Sequence, residues 1–202
     1  NDMLDAITKH PHFKTIPFGV KLGPYIDLQF CEQAAEVICK YPVSYVVTCN
    51  SLGNALFVDA EKECEAIAAN EGLGGLSGGF IKHTALANVH LLRTFFDLNG
   101  RSDIDIVGVG GVQTGLDAFE LILCGAKAVQ VGTCHWSEGP SCFSRISQEL
   151  AEIMTHKGYT SINQFCGKLK SYIKPTTTDT GVHTLPVYRR NSIGKDKSLS
   201  SS

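Results

Sequence analysis

Short, apolar, β-branched runs alternate along this chain with longer stretches in which apolar residues return every three or four positions. Four runs read as strands: Ile16 to Lys21 (IPFGVK), Tyr45 to Cys49 (YVVTC), Ile104 to Gly108 (IDIVG) and Ala128 to Val131 (AVQV). Between the first two, Leu28, Cys31, Ala35 and Ile38 share one face of a helix expected from about Asp27 to Lys40. After the third, Thr114-Gly115-Leu116-Asp117 has capping-box spacing and predicts a helix start. After the fourth, a helix is expected from about Pro140 to His156, stopping before Gly158. Ser161 and Gln164 repeat the capping-box spacing at the head of a short helix expected within Ser161 to Ser171.

Strand–helix repeats of this kind build a parallel sheet covered by helices. Four units are half of an eight-stranded (β/α) barrel. An open doubly wound sheet fits the local pattern equally well. One connection breaks the rhythm. Over thirty residues separate Asn50 from Lys82, against roughly 2–6 for an ordinary loop of this type. The excursion is glycine-rich near its end, with Gly72, Gly74, Gly75, Gly78 and Gly79. A long segment after a strand lies at the C-terminal end of the sheet, where barrel sites are built. Residues at about 50–82 are therefore expected to form a lid or a pocket wall. Residues 174–202 are Thr-, Ser- and Lys-rich with few apolar positions, and a disordered tail is expected there, with Arg189-Arg190 as solvated charge.

Composition narrows the partners. Of the 202 residues 43 % are apolar and 19 % charged, enough for one domain with a sizeable core. A net charge of −2 gives no case for nucleic acid or an anionic membrane. No apolar run approaches the roughly 20 residues of a spanning helix. The start, Asn1-Asp2-Met3-Leu4, has no leader pattern, and the first residue being Asn rather than Met raises the expectation of sequence upstream. The eight cysteines form no CxxC pair: Cys31, Cys39 and Cys124 fall in helical patterns, and Cys49 and Cys134 near strand ends. They read as reduced thiols of a cytosolic protein, with neither a disulfide framework nor metal ligation expected.

Candidate chemistry gathers where strands end. Gly108-Val109-Gly110-Gly111 follows the third strand and Gly132-Thr133 the fourth. Glycine lets backbone N–H groups approach an anion, and the loops after the last two strands of a barrel are the usual phosphate site. Phosphate binding is expected there. Lys21 closes an apolar strand, either facing an anionic ligand or snorkelling to solvent. Asn50 and Ser51 close the second, with the donors and acceptors that suit a planar amide ring or, equally, a local turn. The seven histidines show no metal spacing, and His135-Trp136 reads as surface.

Taken together, the segments GVKLGPYID (19–27), VTCNSLGNALFVDAE (47–61), GLGGLSGG (72–79), IKHTALANV (81–89), VGVGGVQTGLDAFELILCGAKAVQVGT (107–133) and EGPSCFSRISQEL (138–150) resemble the soluble, fumarate-reducing class of the dihydroorotate dehydrogenases, over about residues 10–173. The resemblance implies a closed (β/α)8 TIM barrel, of which residues 1–173 supply about strands 5–8, with FMN at its C-terminal face. It implies oxidation of dihydroorotate to orotate with fumarate as acceptor, in pyrimidine (UMP) biosynthesis, by a cytoplasmic homodimer. In that reading a base removes the C5 proton and hydride passes from C6 to the flavin. Lys21 corresponds to a lysine at the flavin pyrimidine edge. Gly78, Gly110, Gly111, Gly132 and Thr133 correspond to contacts of the FMN ribityl-phosphate, and Asn50 and Ser51 to substrate-binding residues. The family's cysteine base lies on an earlier loop and matches none of the cysteines here, so this chain is expected to supply no catalytic base and to need the N-terminal half of the barrel. Two departures stand out: Ala68-Ala69-Asn70-Glu71, where lysines are usual, and Ser77, where glycine is usual. Two alternatives remain: another pyrimidine-specific FMN dehydrogenase, or a catalytically dead half-barrel that binds phosphate ligands or a partner subunit.

Overall fold

The computed structural model describes residues 2–68 and 70–171. The chain divides into a compact unit, Asn1–Leu169, and a second stretch, Lys170–Ser202. The tail expected at 174–202, with Arg189-Arg190, lies outside the described residues.

In chain order the elements are helix α1 (Asp2–Thr8), strand β1 (Gly19–Lys21), helix α2 (Leu28–Cys39), strand β2 (Tyr45–Thr48), strands β3 (Leu52–Leu56), β4 (Val58–Asp59), β5 (Cys64–Glu65) and β6 (Leu73–Leu76), helix α3 (Lys82–Leu98), strand β7 (Asp105–Val109), helix α4 (Gly115–Cys124), strand β8 (Ala128–Gln130), and helices α5 (Thr133–Glu138) and α6 (Ser141–His156). Local chemistry sets the helix ends. The Asp27 carboxylate accepts the Gln29 N–H at 2.7 Å to open α2, and Thr114 with Asp117 forms a reciprocal capping box on α4. Buried Cys31, Ala35 and Ile38 recur on the inner face of α2.

β1, β2, β7 and β8 form one parallel sheet in that order, pairing Lys21 with Val47, Val47 with Val107, and Val107 with Ala128. Each new strand is added on the same side, with no reversal of the kind a doubly wound sheet has at its switch point. Right-handed crossovers then place the helices on one face, where α2 packs on α3, α3 on α4 and α4 on α6. This is the arc of a (β/α) barrel, and it is not closed: β1 and β8 each have one neighbour. The sheet is correspondingly two-faced. Val46, Thr48, Ile106 and Gly108 point to the helices and are buried; Tyr45 and Ala128, on the other face, are exposed.

Several elements differ from the sequence pattern. β1 begins at Gly19 rather than Ile16, because the Ile16 N–H closes a turn onto the His12 carbonyl at 3.1 Å and Pro17 has no N–H to give a sheet. β8 ends at Gln130, and Cys134 lies inside α5 rather than at a strand end. The excursion after β2 holds two antiparallel pairs, β3 with β6 and β4 with β5. Of the short helix expected after Ser161, only a single 3-10 turn forms, Ile162–Gln164, though its capping box is present. The chain leaves it at Phe165, whose ring is fully buried between Phe119 (centroids 4.6 Å) and Tyr159 (5.0 Å).

Asn88 ties the loop after β1 to the helical layer. This α3 side chain is 1 % exposed; its Oδ1 accepts the Tyr25 N–H and its Nδ2 donates to the Tyr25 carbonyl, both at 2.8 Å. Removing it leaves both backbone groups short of a partner. Asn88→Ala is therefore expected to destabilise the chain by roughly 1–3 kcal/mol in urea unfolding. An unchanged midpoint would count against the clasp.

Candidate functional site

The eight residues singled out at strand ends and in the excursion converge on one cavity of about 320 Å³ at the C-terminal end of the sheet. Lys21 enters from the end of β1, Asn50 and Ser51 from just past β2, Gly78 from the turn before α3, Gly110 and Gly111 from just past β7, and Gly132 and Thr133 from the start of α5. A larger groove of about 590 Å³ runs along β1 and α2, but apolar side chains such as Leu4, Ile26 and Phe30 dominate it and it lacks converging donors. The residues singled out from the sequence line the smaller cavity.

Close packing of the glycine turns shapes its floor. Gly78 and Gly111 have φ of +71° and +75°, the left-handed region that favours glycine. A Cβ on Gly111 would lie 2.5 Å from Lys82 Cβ and 3.1 Å from the Gly78 carbonyl, and one on Gly78 would lie 3.2 Å from Thr133 Cγ2. The turns from the excursion, β7 and β8 therefore pack closely, most tightly at Gly111, where a side chain would collide with Lys82.

Charge fixes the same turns from behind. Lys82 reaches Asp117 at 2.5 Å and Glu120 at 2.7 Å. The other oxygen of Asp117 accepts the N–H groups of Gln113 (2.9 Å) and Thr114 (2.8 Å) and the Thr114 hydroxyl (2.9 Å). Burial pushes the Asp117 carboxyl up, but the Lys82 ammonium and these donors outweigh it, and the net shift is below the usual carboxylate value. From the α6 side, Arg145 donates to the Gln113 carbonyl at 3.0 Å and pairs with Glu138 (2.5 Å) and Glu149 (2.7 Å), while Glu149 accepts the Gly115 N–H at 2.6 Å. The two carboxylates raise the Arg145 pKa.

Lys21, at the opposite end, has no carboxylate within 4.0 Å among the described residues. Next to it, burial pushes the Cys49 thiol up in pKa, opposed by the Lys21 charge. Backbone bonds join these strand ends: Leu22 N–H to Val47 C=O, Asn50 N–H to Leu22 C=O and Cys49 N–H to Val109 C=O, each at 2.9 Å.

Dihydroorotate dehydrogenase is the family whose model matches residues 2–154. The chain belongs to the dihydroorotate dehydrogenase family. Among its relatives, dihydroorotate dehydrogenase A (fumarate) of Lactococcus lactis subsp. cremoris (strain MG1363) is 50 % identical over 159 residues, covering 79 % of this chain and 50 % of that protein. Dihydroorotate dehydrogenase (fumarate) of Kluyveromyces lactis is 50 % identical over 160 residues, 79 % of this chain and 49 % of that one. The crystal structure of DHODH in complex with ferulenol from Eimeria tenella superposes with a TM-score of 0.61 at 24 % identity, over 75 % of this chain and 38 % of that one, and speaks for the fold alone. The chain spans about half the length of the curated relatives it matches. The class indicated by segments such as IKHTALANV is borne out by the fumarate designation of these relatives.

Against that family background, the sequence reading missed Gln113, Gln130 and Trp136, all of which line the cavity. Gln130 pairs in register with Val109 at the last rung of the sheet, a position that strand alternation alone could have flagged. Trp136, read as surface, is 91 % exposed and yet stands at the rim, one helical turn after Thr133. Ser77, before the turn at Gly78, has an extended backbone with φ −142° and ψ −168°, a conformation any residue adopts.

Because Asp117 is depressed in the fold, it contributes stability above its unfolded pKa of about 3.9, and that contribution is lost as pH falls through the lower folded value. Asp117→Asn should be less stable than the parent at pH 7 and should lose less stability between pH 5 and pH 2. Urea unfolding across that range checks it; parallel curves for the two proteins would refute the assignment.

Proposed function

We propose that this chain supplies the cofactor-phosphate end and part of the substrate pocket of a cytoplasmic, homodimeric dihydroorotate dehydrogenase. The complete protein oxidises (S)-dihydroorotate to orotate with fumarate as acceptor, in pyrimidine biosynthesis, and uses FMN. The observation that carries this reading is the convergence of Lys21, Asn50, Ser51 and three closely packed glycine turns on one cavity.

The residues present fit an FMN group. The glycine floor admits a phosphate against backbone, and the Thr133 hydroxyl adds a donor beside it. FMN, when bound, supplies the acceptor for the hydride leaving the substrate. Lys21, without a carboxylate partner among the described residues, would stabilise negative charge at the far end of the cavity. Asn50 offers an amide donor and acceptor to the ring of the pyrimidine, and Ser51 a hydroxyl. Cys49 also lines the cavity, but a buried thiol whose pKa is raised is a poor base, so proton abstraction falls to the complementary half of the barrel. That half would also cover the open face of the sheet around Tyr45 and Ala128 and the free edges of β1 and β8.

Trp136 is the single tryptophan of the chain and stands on the cavity rim. Adding FMN is expected to quench its fluorescence saturably; no change at any FMN concentration would overturn the cofactor assignment. In a barrel completed with four further strand–helix units, Lys21→Ala is expected to slow flavin reduction by dihydroorotate about 10²–10³-fold in rapid mixing. A dye-reduction assay on the chain alone, with FMN added, should give no dihydroorotate-dependent turnover. Turnover by the isolated chain would favour a base among its own residues, and unchanged kinetics in the variant would return Lys21 to a solvent role.

A further inference from the structure

We propose that Gly75 is a positioning residue of the substrate pocket: by carrying no side chain, it leaves free the place that Ser51 occupies. The inference rests on the reading of Asn50 and Ser51 given above and deepens it.

Strand β6 carries two adjacent glycines, Gly74 and Gly75, and a different side chain covers each. A Cβ on Gly74 would lie 2.7 Å from Cδ1 of Ile67, the far end of a flexible side chain that does not line the cavity. A Cβ on Gly75 would collide with Oγ of Ser51 and lie 2.7 Å from Ser51 Cβ. The backbone does not require glycine at 75. Its φ lies outside the left-handed region, so alanine meets no torsional objection there. Space alone excludes a side chain. Turning Ser51 about χ1 would move Oγ aside but leave Cβ where it is, because Cβ is fixed to the backbone. Relief therefore requires a shift of the main chain itself. That main chain is tied on both sides: the Asn50 N–H donates to the Leu22 carbonyl at 2.9 Å, and Leu52 pairs in register with Leu76. A side chain at 75 thus presses on Asn50-Ser51, which lines the cavity, from a residue that does not line it. The excursion after β2 thereby sets how far the Ser51 hydroxyl reaches into the pocket. Gly78, Gly111 and Thr133 take no part in this contact, so substrate and cofactor binding should respond differently.

The test is an orotate titration of the completed, FMN-loaded barrel, read in the flavin absorption spectrum. It compares the parent with Gly75→Ala, Gly74→Ala, Ser51→Gly and the double variant Ser51→Gly/Gly75→Ala. In Gly75→Ala the orotate Kd is expected to rise about tenfold, the loss of one hydrogen bond, with FMN affinity unchanged. Gly74→Ala makes the same replacement one place along the strand and should leave both affinities at the parent's values. With the Ser51 side chain gone, alanine at 75 should weaken orotate no further. Unchanged orotate affinity in Gly75→Ala, an equal loss in Gly74→Ala, or an equal further loss in the Ser51→Gly background would overturn the inference. Should Gly75→Ala lose FMN as well, the fold has been disturbed. Recovery of FMN binding in the double variant then supports the contact with Ser51, and no recovery refutes it. If Ser51→Gly alone leaves orotate binding as it was, the substrate reading of Ser51 fails and takes the positioning role with it.

Discussion

Lys82 is the residue on which the candidate site depends. Its backbone and Cβ fill the space against Gly111, so the turn after β7 can pass only as glycine. Its side chain, 22 % exposed, is drawn partly out of water and its ammonium is matched by Asp117 and Glu120. Partial burial lowers its affinity for a proton, and the hydrogen bonds it donates to the two carboxylates, with their charge, more than restore it, so the net pKa is raised. Such a lysine is costly without both partners. With them, one side chain fixes α3, α4 and the turn between β7 and α4 in a single arrangement. The donors on Asp117 extend that constraint to Gln113, which lines the cavity.

The excursion after β2 and the turns after β7 and β8 are thus not independent loops. A Cβ on Gly78 would meet Thr133 and one on Gly111 would meet the Gly78 carbonyl, so three segments from different parts of the chain come together in one floor. Arg145 repeats the logic from the outer helix, gathering Glu138, Glu149 and the Gln113 carbonyl. Cations on the helical side hold the backbone of the turns, while on the cavity side Lys21 has no carboxylate partner among the described residues. Structural and ligand-facing charge are separated by the sheet end itself.

The same sheet is only half covered. Its helix-facing positions are buried, and its other face presents Tyr45 and Ala128 to solvent. Tyr45 lies flat over Gly19, where a Cβ would collide with its ring, so even the exposed face is packed locally. Unpaired edges at β1 and β8 and a solvent-facing apolar surface are what a closed barrel abolishes. The fold therefore carries, in its exposed groups, the outline of the units that would complete it.

Helix α2, the Thr114 capping box and the strand cores at Tyr45 and Ile106 were legible in the chain, because side-chain period and capping act within a few residues. The chemistry at Lys21, Asn50 and the glycine pairs was legible for a related reason: charge, amide and glycine at strand ends are costly unless used. The failures were equally physical. The Pro17 break in the first run was overlooked, and α5 is too short for its period to register. Local pattern left barrel arc and doubly wound sheet open and the family resemblance pointed to the barrel; tertiary structure decided the strand order that bears it out. It alone brought Ser77 to Thr133 and Asn88 to Tyr25, and turned Trp136 to the cavity rim. Those contacts join residues far apart in the chain, and their distances are set by helix-on-sheet packing that no local window contains.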